Sequence, residues 1–145
     1  MSTTNVTEGN ELRIVIGVDG SECAGRALDF AAHEAARWGA LLHVVSTYQM
    51  PATTGTVVVS LEPFEEAALA VVRAAVARVH ELEPGVVVKG EHVFGAAGPV
   101  LVHESQGASL LVVGTRGHGG LTSLVMGSVS EFVVHHSCSP VTIVR

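Results

Sequence analysis

Lysine is nearly missing from this chain of 145 residues: Lys89 is the only one. Lysine and arginine together number 8 against 14 acidic side chains, a formal net charge of −6. So few cations leave no basic footprint for a phosphate backbone, and nucleic acid is not an expected partner. They also leave no lysine in a glycine-rich loop, which excludes a Walker-type P-loop. Aspartate is nearly as scarce, at Asp19 and Asp29. One strand-end aspartate without a suitable lysine argues against a phospho-accepting receiver domain, which needs a carboxylate cluster. The two cysteines, Cys23 and Cys138, lie far apart and form no CxxC pair, as expected of free thiols in the cytoplasm. The most apolar run, residues 67–77, is broken by Arg73 and falls short of the ~18 residues of a membrane span. No basic cluster precedes an apolar stretch in the first ten residues, so no secretory signal is expected. A GxSxG elbow is missing, and Gly17-Val18-Asp19-Gly20 does not supply a GxGxxG fingerprint. The histidines form no pair at metal-ligand spacing on one helix face, so no metal-ligating set is predicted. His135 and His136 instead suit a helix C-terminus.

Hydrophobic residues make up 48% of the chain and charged residues 15%, enough to build a buried core rather than a disordered chain. Residues 1–11 read as a flexible tail and residues 12–145 as one domain. Strands are predicted at residues 13–18, 41–46, 86–94, 110–113 and 141–144, the third with a bend at Gly90. Several are near-continuous apolar runs, the pattern of strands buried on both faces. Between them, helical periodicity recurs. Ser21 is placed to cap a first helix that Gly39 ends, and Pro63 opens a second with Phe64, Ala68, Val72, Ala75 and Val79 on one face. Gly98-Pro99 opens a third, and a fourth runs from Gly127 to His136. Trp38 and Met126 read as core or interface packing. Residues 49–60 read as a long loop. Alternating strands and helices predict an α/β fold: an open, Rossmann-like parallel sheet of five strands with helices on both faces. Ligands of such sheets bind at the carboxyl ends of the strands, where the strand order reverses.

The chemistry concentrates after the fourth strand, in Gly114-Thr115-Arg116-Gly117-His118-Gly119-Gly120, with Gly127-Ser128-Val129-Ser130 following. Glycines allow close approach of the backbone to a ligand. A helix starting at Gly127 aims free N–H groups and a positive dipole end at that place, which binds phosphate without lysine. The hydroxyls of Ser128 and Ser130 could bond phosphate oxygens or a metal's water. The competing reading is a flexible loop with a glycine-assisted turn. Asp19, at the end of the first strand, suits a ribose hydroxyl or a metal, and equally suits a turn before Gly20-Ser21.

IVIGVDGS at residues 14–21, LLHVV at 41–45 and GTRGHGG…GSVS with a terminal SPVTIVR together resemble the universal stress protein domain. The resemblance runs from Arg13 to Arg145. The nucleotide-binding branch of that family carries Gly, two residues, Gly, nine residues, then Gly and Ser or Thr. Gly114, Gly117, Gly127 and Ser128 fall on that pattern without a gap. The resemblance implies a five-stranded parallel sheet of the adenine nucleotide alpha hydrolase kind that binds ATP with Mg2+, often as a dimer. By position, it implies that Gly17 and Asp19 lie near the nucleotide and that Val44 offers backbone hydrogen bonds to adenine. Gly114, Thr115, Gly117, Gly119 and Gly120 would wrap ribose and phosphates, with Arg116 and His118 at variable loop positions. Gly127, Ser128 and Val129 would hold the phosphate tail.

The function so implied is an ATP-binding regulatory or sensor module with no catalytic residue assigned. Two other classes stay open: a slow ATPase or nucleotide-transfer enzyme, and a dimeric adaptor without bound nucleotide. The homodimer would form on Val141–Val144, an apolar strand at a sheet edge that neither lysine nor internal proline guards.

Overall fold

The β-branched runs form a parallel sheet in the computed structural model, which describes residues 11–52, 55–116 and 126–145. Its strands are β1 (Arg13–Gly17), β2 (Leu41–Tyr48), β3 (Val88–Phe94), β4 (Leu110–Gly114) and β5 (Val141–Val144). Four helices alternate with them: α1 (Glu22–Trp38), α2 (Glu62–Leu82), α3 (Ala97–Glu104) and α4 (Ser128–His136). The strand order is β3-β2-β1-β4-β5, every pair parallel. β1 at the centre pairs Ile16 with Val44 on one side and with Val112 on the other. The chain therefore reverses direction across the sheet between β1 and β4, and a crevice opens there at the strand carboxyl ends.

Period-two alternation along β1 divides the core. Ile14 and Ile16 pack with Ala27, Ala31, Ala35, Ala75 and Val79 from α1 and α2. Val15 packs on the other face with Leu101 and Val133 from α3 and α4. All three β1 residues are wholly buried, as strands covered on both faces require. The edge strands are only half-covered, and every residue of β5 is partly exposed.

Local chemistry sets the helix ends. The Ser21 hydroxyl accepts from the Ala24 N–H at 3.2 Å, and Gly39 stops α1 in a left-handed conformation (φ 62°). Gly25 lies inside α1 with open space where a Cβ would stand. Gly25→Ala is therefore expected to stabilise the fold by about 0.5–1 kcal/mol, read as a raised thermal midpoint.

Two expectations are corrected. The third strand begins at Val88 rather than Val86 and pairs unbroken with β2 from Leu42↔Val88 to Tyr48↔Phe94, so Gly90 marks no bend. Its glycine is needed because α2 presses on it: a Cβ there would meet Val72 Cγ1 at 2.6 Å. The core reading of Trp38 is excluded, because it sits at the surface, 40% exposed, which leaves interface packing of the two expectations. No described helix is long and apolar enough to cross a membrane.

Candidate functional site

A cavity of about 860 Å³ opens at the carboxyl ends of β1, β2 and β4, within the size range of small-molecule sites. One wall is apolar. Phe64, Ala68 and Val71, one face of α2, line it together with Val45 and Tyr48 of β2. The other end is polar and made of backbone: Gly17 to Asp19 after β1, Gly114 to Arg116 after β4, and Gly127 to Ser130 at the start of α4.

Two helix N-termini meet at this polar end. Among the described residues, neither α3, which begins at Ala97, nor α4 has a side-chain cap on its first N–H groups. Ala97 and Ser128 both line the cavity. The first N–H groups of a helix have no intrahelical acceptor, so two partial positive ends face one space and favour an anion. By contrast, α1 is closed by its Ser21 cap.

The segment between β4 and α4 is pinned where it leaves and returns. The Thr115 carbonyl accepts from the Gly127 N–H at 2.6 Å and from the Ser130 hydroxyl at 3.0 Å. Ser130 also donates to the Gly127 carbonyl at 2.9 Å and is 1% exposed. Its proton is thus committed to backbone, and it acts by fixing the loop ends rather than as a donor to a ligand. Gly117, His118, Gly119 and Gly120 lie outside the described residues.

Asp19 accepts from the Ser21 N–H at 2.9 Å, forming an Asx turn, and also lines the cavity. The turn reading of this carboxylate is thus observed, and its place in the lining is compatible with the ligand reading. The intervening Gly20 has φ 81°, which glycine adopts without strain. Behind the polar end lies the buried Cys23, whose sulfur accepts from Arg26 Nη2 at 3.1 Å and from the Thr115 hydroxyl at 3.8 Å. Burial pushes this thiol up, but the Thr115 bond and the charges of Arg26 and Arg116 outweigh it and hold its pKa below the ordinary value. At the apolar end, burial and the Glu65 carboxylate raise Tyr48. Its ring meets Phe94 edge-on, with centroids 5.7 Å apart. No lysine or histidine lines the cavity among the described residues.

Val44 is the position the cavity does not include. It is wholly buried inside the sheet, paired with Ile16 of β1 and Gly90 of β3, while Val45 to Gln49 form the lining.

The family model described as the universal stress protein family matches residues 12–145. The chain belongs to the universal stress protein family. Universal stress protein Rv2005c of Mycobacterium tuberculosis is 33% identical over 135 residues, covering 91% of this chain but 45% of its own length. The chain thus spans about half of the mycobacterial relatives it matches. Universal stress protein YxiE of Bacillus subtilis is 32% identical, with 92% of this chain and 98% of that protein covered. Among solved structures, a universal stress protein in complex with cAMP superposes with a TM-score of 0.73 at 28% identity, covering 93% of this chain and 97% of that one.

Several cavity residues of this universal stress protein were not singled out from sequence as ligand contacts. Tyr48, Gln49 and Ala97 carry no motif, and Phe64 and Met126 read as packing positions. The general signal was present for the first two, because they follow the carboxyl end of a buried parallel strand. The wall from α2 was not legible, since its apolar face serves the core along most of its length.

Proposed function

We propose that this chain binds an adenine nucleotide, ATP with Mg2+, in the cavity and works as a regulatory or sensor module. The observation that carries the reading is the meeting of two uncapped helix N-termini with an apolar wall in one cavity. Phosphates suit the first and a planar base the second. The family match supports it, as does the structural neighbour in complex with cAMP. The oxygen donors at the polar end, Asp19 and Ser128, are of the type Mg2+ takes alongside phosphate oxygens. Bound there, the ion would neutralise phosphate charge that no lysine of this chain offsets.

Mass spectrometry of small molecules released from gently purified protein tests the binding directly, and calorimetry with ATP, AMP and cyclic AMP ranks the nucleotides. Micromolar-scale affinity for ATP is expected; no adenine nucleotide bound by either method would overturn the reading. Turnover is expected well below the ~10 s⁻¹ median of enzymes, because the glycine loop carries no Walker-type lysine. Phosphate release at an ordinary enzymatic rate, lost in Asp19→Ala, would make the protein an ATPase with Asp19 catalytic. The unpaired Cys23 and Cys138 support a cytoplasmic location.

The same reading includes a homodimer. β5 is at a sheet edge, bonded to β4 on one side, with no lysine or internal proline along Val141–Val144. Antiparallel pairing of β5 with its two-fold copy would satisfy both edges. Sedimentation equilibrium is expected to give twice the 15.0 kDa chain mass, and Thr142→Pro to shift it toward monomer. A wild-type mass of one chain at high micromolar concentration would exclude the dimer.

A further inference from the structure

We propose that His43, Glu91 and Glu104 form a divalent transition-metal site of the zinc class, separate from the nucleotide cavity. His43 lies in β2 and Glu91 in β3, while Glu104 is the last residue of α3. The sequence separates them by tens of residues, so no ligand spacing along one helix reveals the set. The fold brings one donor atom from each within 4.8 Å of the others.

Three observations favour a cation over a plain hydrogen-bonded cluster. The His43 imidazole is 3% exposed, and its Nε2 faces Glu91 Oε2 at 2.8 Å. The Glu104 carboxylate, on a half-buried residue, has no hydrogen bond or ion pair among the described residues, yet it is directed at this pair. Two carboxylates at this separation repel unless a positive charge stands with them. The nearby ammonium, Lys89 Nζ, is 3.6 Å from Glu91 on a side chain 60% exposed, so it can swing aside when an ion enters. Arg13 is already occupied: it donates to the Glu104 carbonyl at 2.7 Å and the Gln106 carbonyl at 2.8 Å. Those bonds hold the end of α3 in place without engaging the carboxylate.

The donor set decides the class of ion. One imidazole with two carboxylates suits zinc and its neighbours, whereas Mg2+ and Ca2+ prefer oxygen alone. Ligands about 2.1 Å from a tetrahedral ion stand roughly 3.4 Å apart. The 2.8 Å pair must therefore open slightly, by side-chain rotation on a fixed backbone. Glu91 is 38% exposed on the edge strand, which leaves water a coordination position and the ion a way in.

The test uses the full chain, freed of metal by chelator and without nucleotide. Co2+ is titrated while its visible d–d absorption is followed, and Zn2+ affinity is measured against a chromophoric chelator. One equivalent per chain at micromolar affinity is expected. Glu104→Gln, at a partly exposed helix end, is expected to keep the circular dichroism of the wild type and weaken Zn2+ by at least about tenfold. His135→Ala/His136→Ala serves as the control and should leave binding unchanged. Absence of binding up to millimolar metal, wild-type affinity in Glu104→Gln, or loss in the His135/His136 control would each overturn the site. His43→Ala is the less useful variant, because it empties a buried position.

Discussion

Ser128→Glu is expected to abolish ATP binding while leaving the fold as stable as before or slightly more so. Ser128 is the first residue of α4, directly after the uncapped Gly127. An acidic side chain in the first helical turn interacts favourably with the helix dipole, by about 0.3–1 kcal/mol. In the proposed complex the same carboxylate would lie at the polar end of the cavity, opposed to the phosphates. A like charge some ångströms from the phosphate tail costs several kcal/mol at the effective dielectric near a protein surface, so at least a hundredfold loss is expected (about 2.7 kcal/mol). The loss should be larger for ATP than for singly charged cyclic AMP, and larger at low salt. Calorimetry paired with thermal melting reads both effects in one variant. Ser128→Ala, which removes a hydroxyl but adds no charge, should lose far less. Unaltered ATP affinity in Ser128→Glu would place the phosphates away from α4.

Gly114→Ala is expected to destabilise the whole domain, by about 2–3 kcal/mol, with or without nucleotide. A Cβ at this position would meet the Cys23 carbonyl carbon at 2.9 Å and its oxygen at 3.0 Å. Those atoms are backbone in the first turn of α1, so relief requires moving a helix rather than rotating a side chain. At this chain length the midpoint should fall by roughly 5–10 °C, opposite in sign to the rise expected for Gly25→Ala. A melting curve for Gly114→Ala that matches the wild type would show that β4 and α1 part easily. The glycine that begins the loop pattern therefore has a packing duty that its place in the motif conceals. Gly17 differs: a Cβ there would meet Leu101 Cδ1 at 2.6 Å, the far end of a side chain that can turn.

Much of this protein is determined locally and can be read from sequence. Ser21 and Gly39 bound α1 because a hydroxyl cap and a left-handed C-cap are properties of single residues. The buried runs of β1 and β4 are apolar without interruption, and that of β2 nearly so, because helices cover both faces, so the parallel sheet was legible from strand composition. The polar half of the cavity followed, since Asp19, Gly114, Gly127 and Ser128 sit at strand and helix ends whose chemistry does not depend on distant partners. What tertiary structure alone decided involves contact between segments far apart in the chain. Gly90 is glycine because α2 crosses β3 there, not because the strand bends. Ser130 spends its hydroxyl on Thr115, fifteen residues away, and Val44 is shut inside the sheet by neighbours on both sides. His43, Glu91 and Glu104 converge only because β2, β3 and the end of α3 pack together. The reason is common to all of these cases. Periodicity and capping report which face a residue presents, whereas the identity of what it meets depends on sheet register and helix placement, which the whole core sets at once.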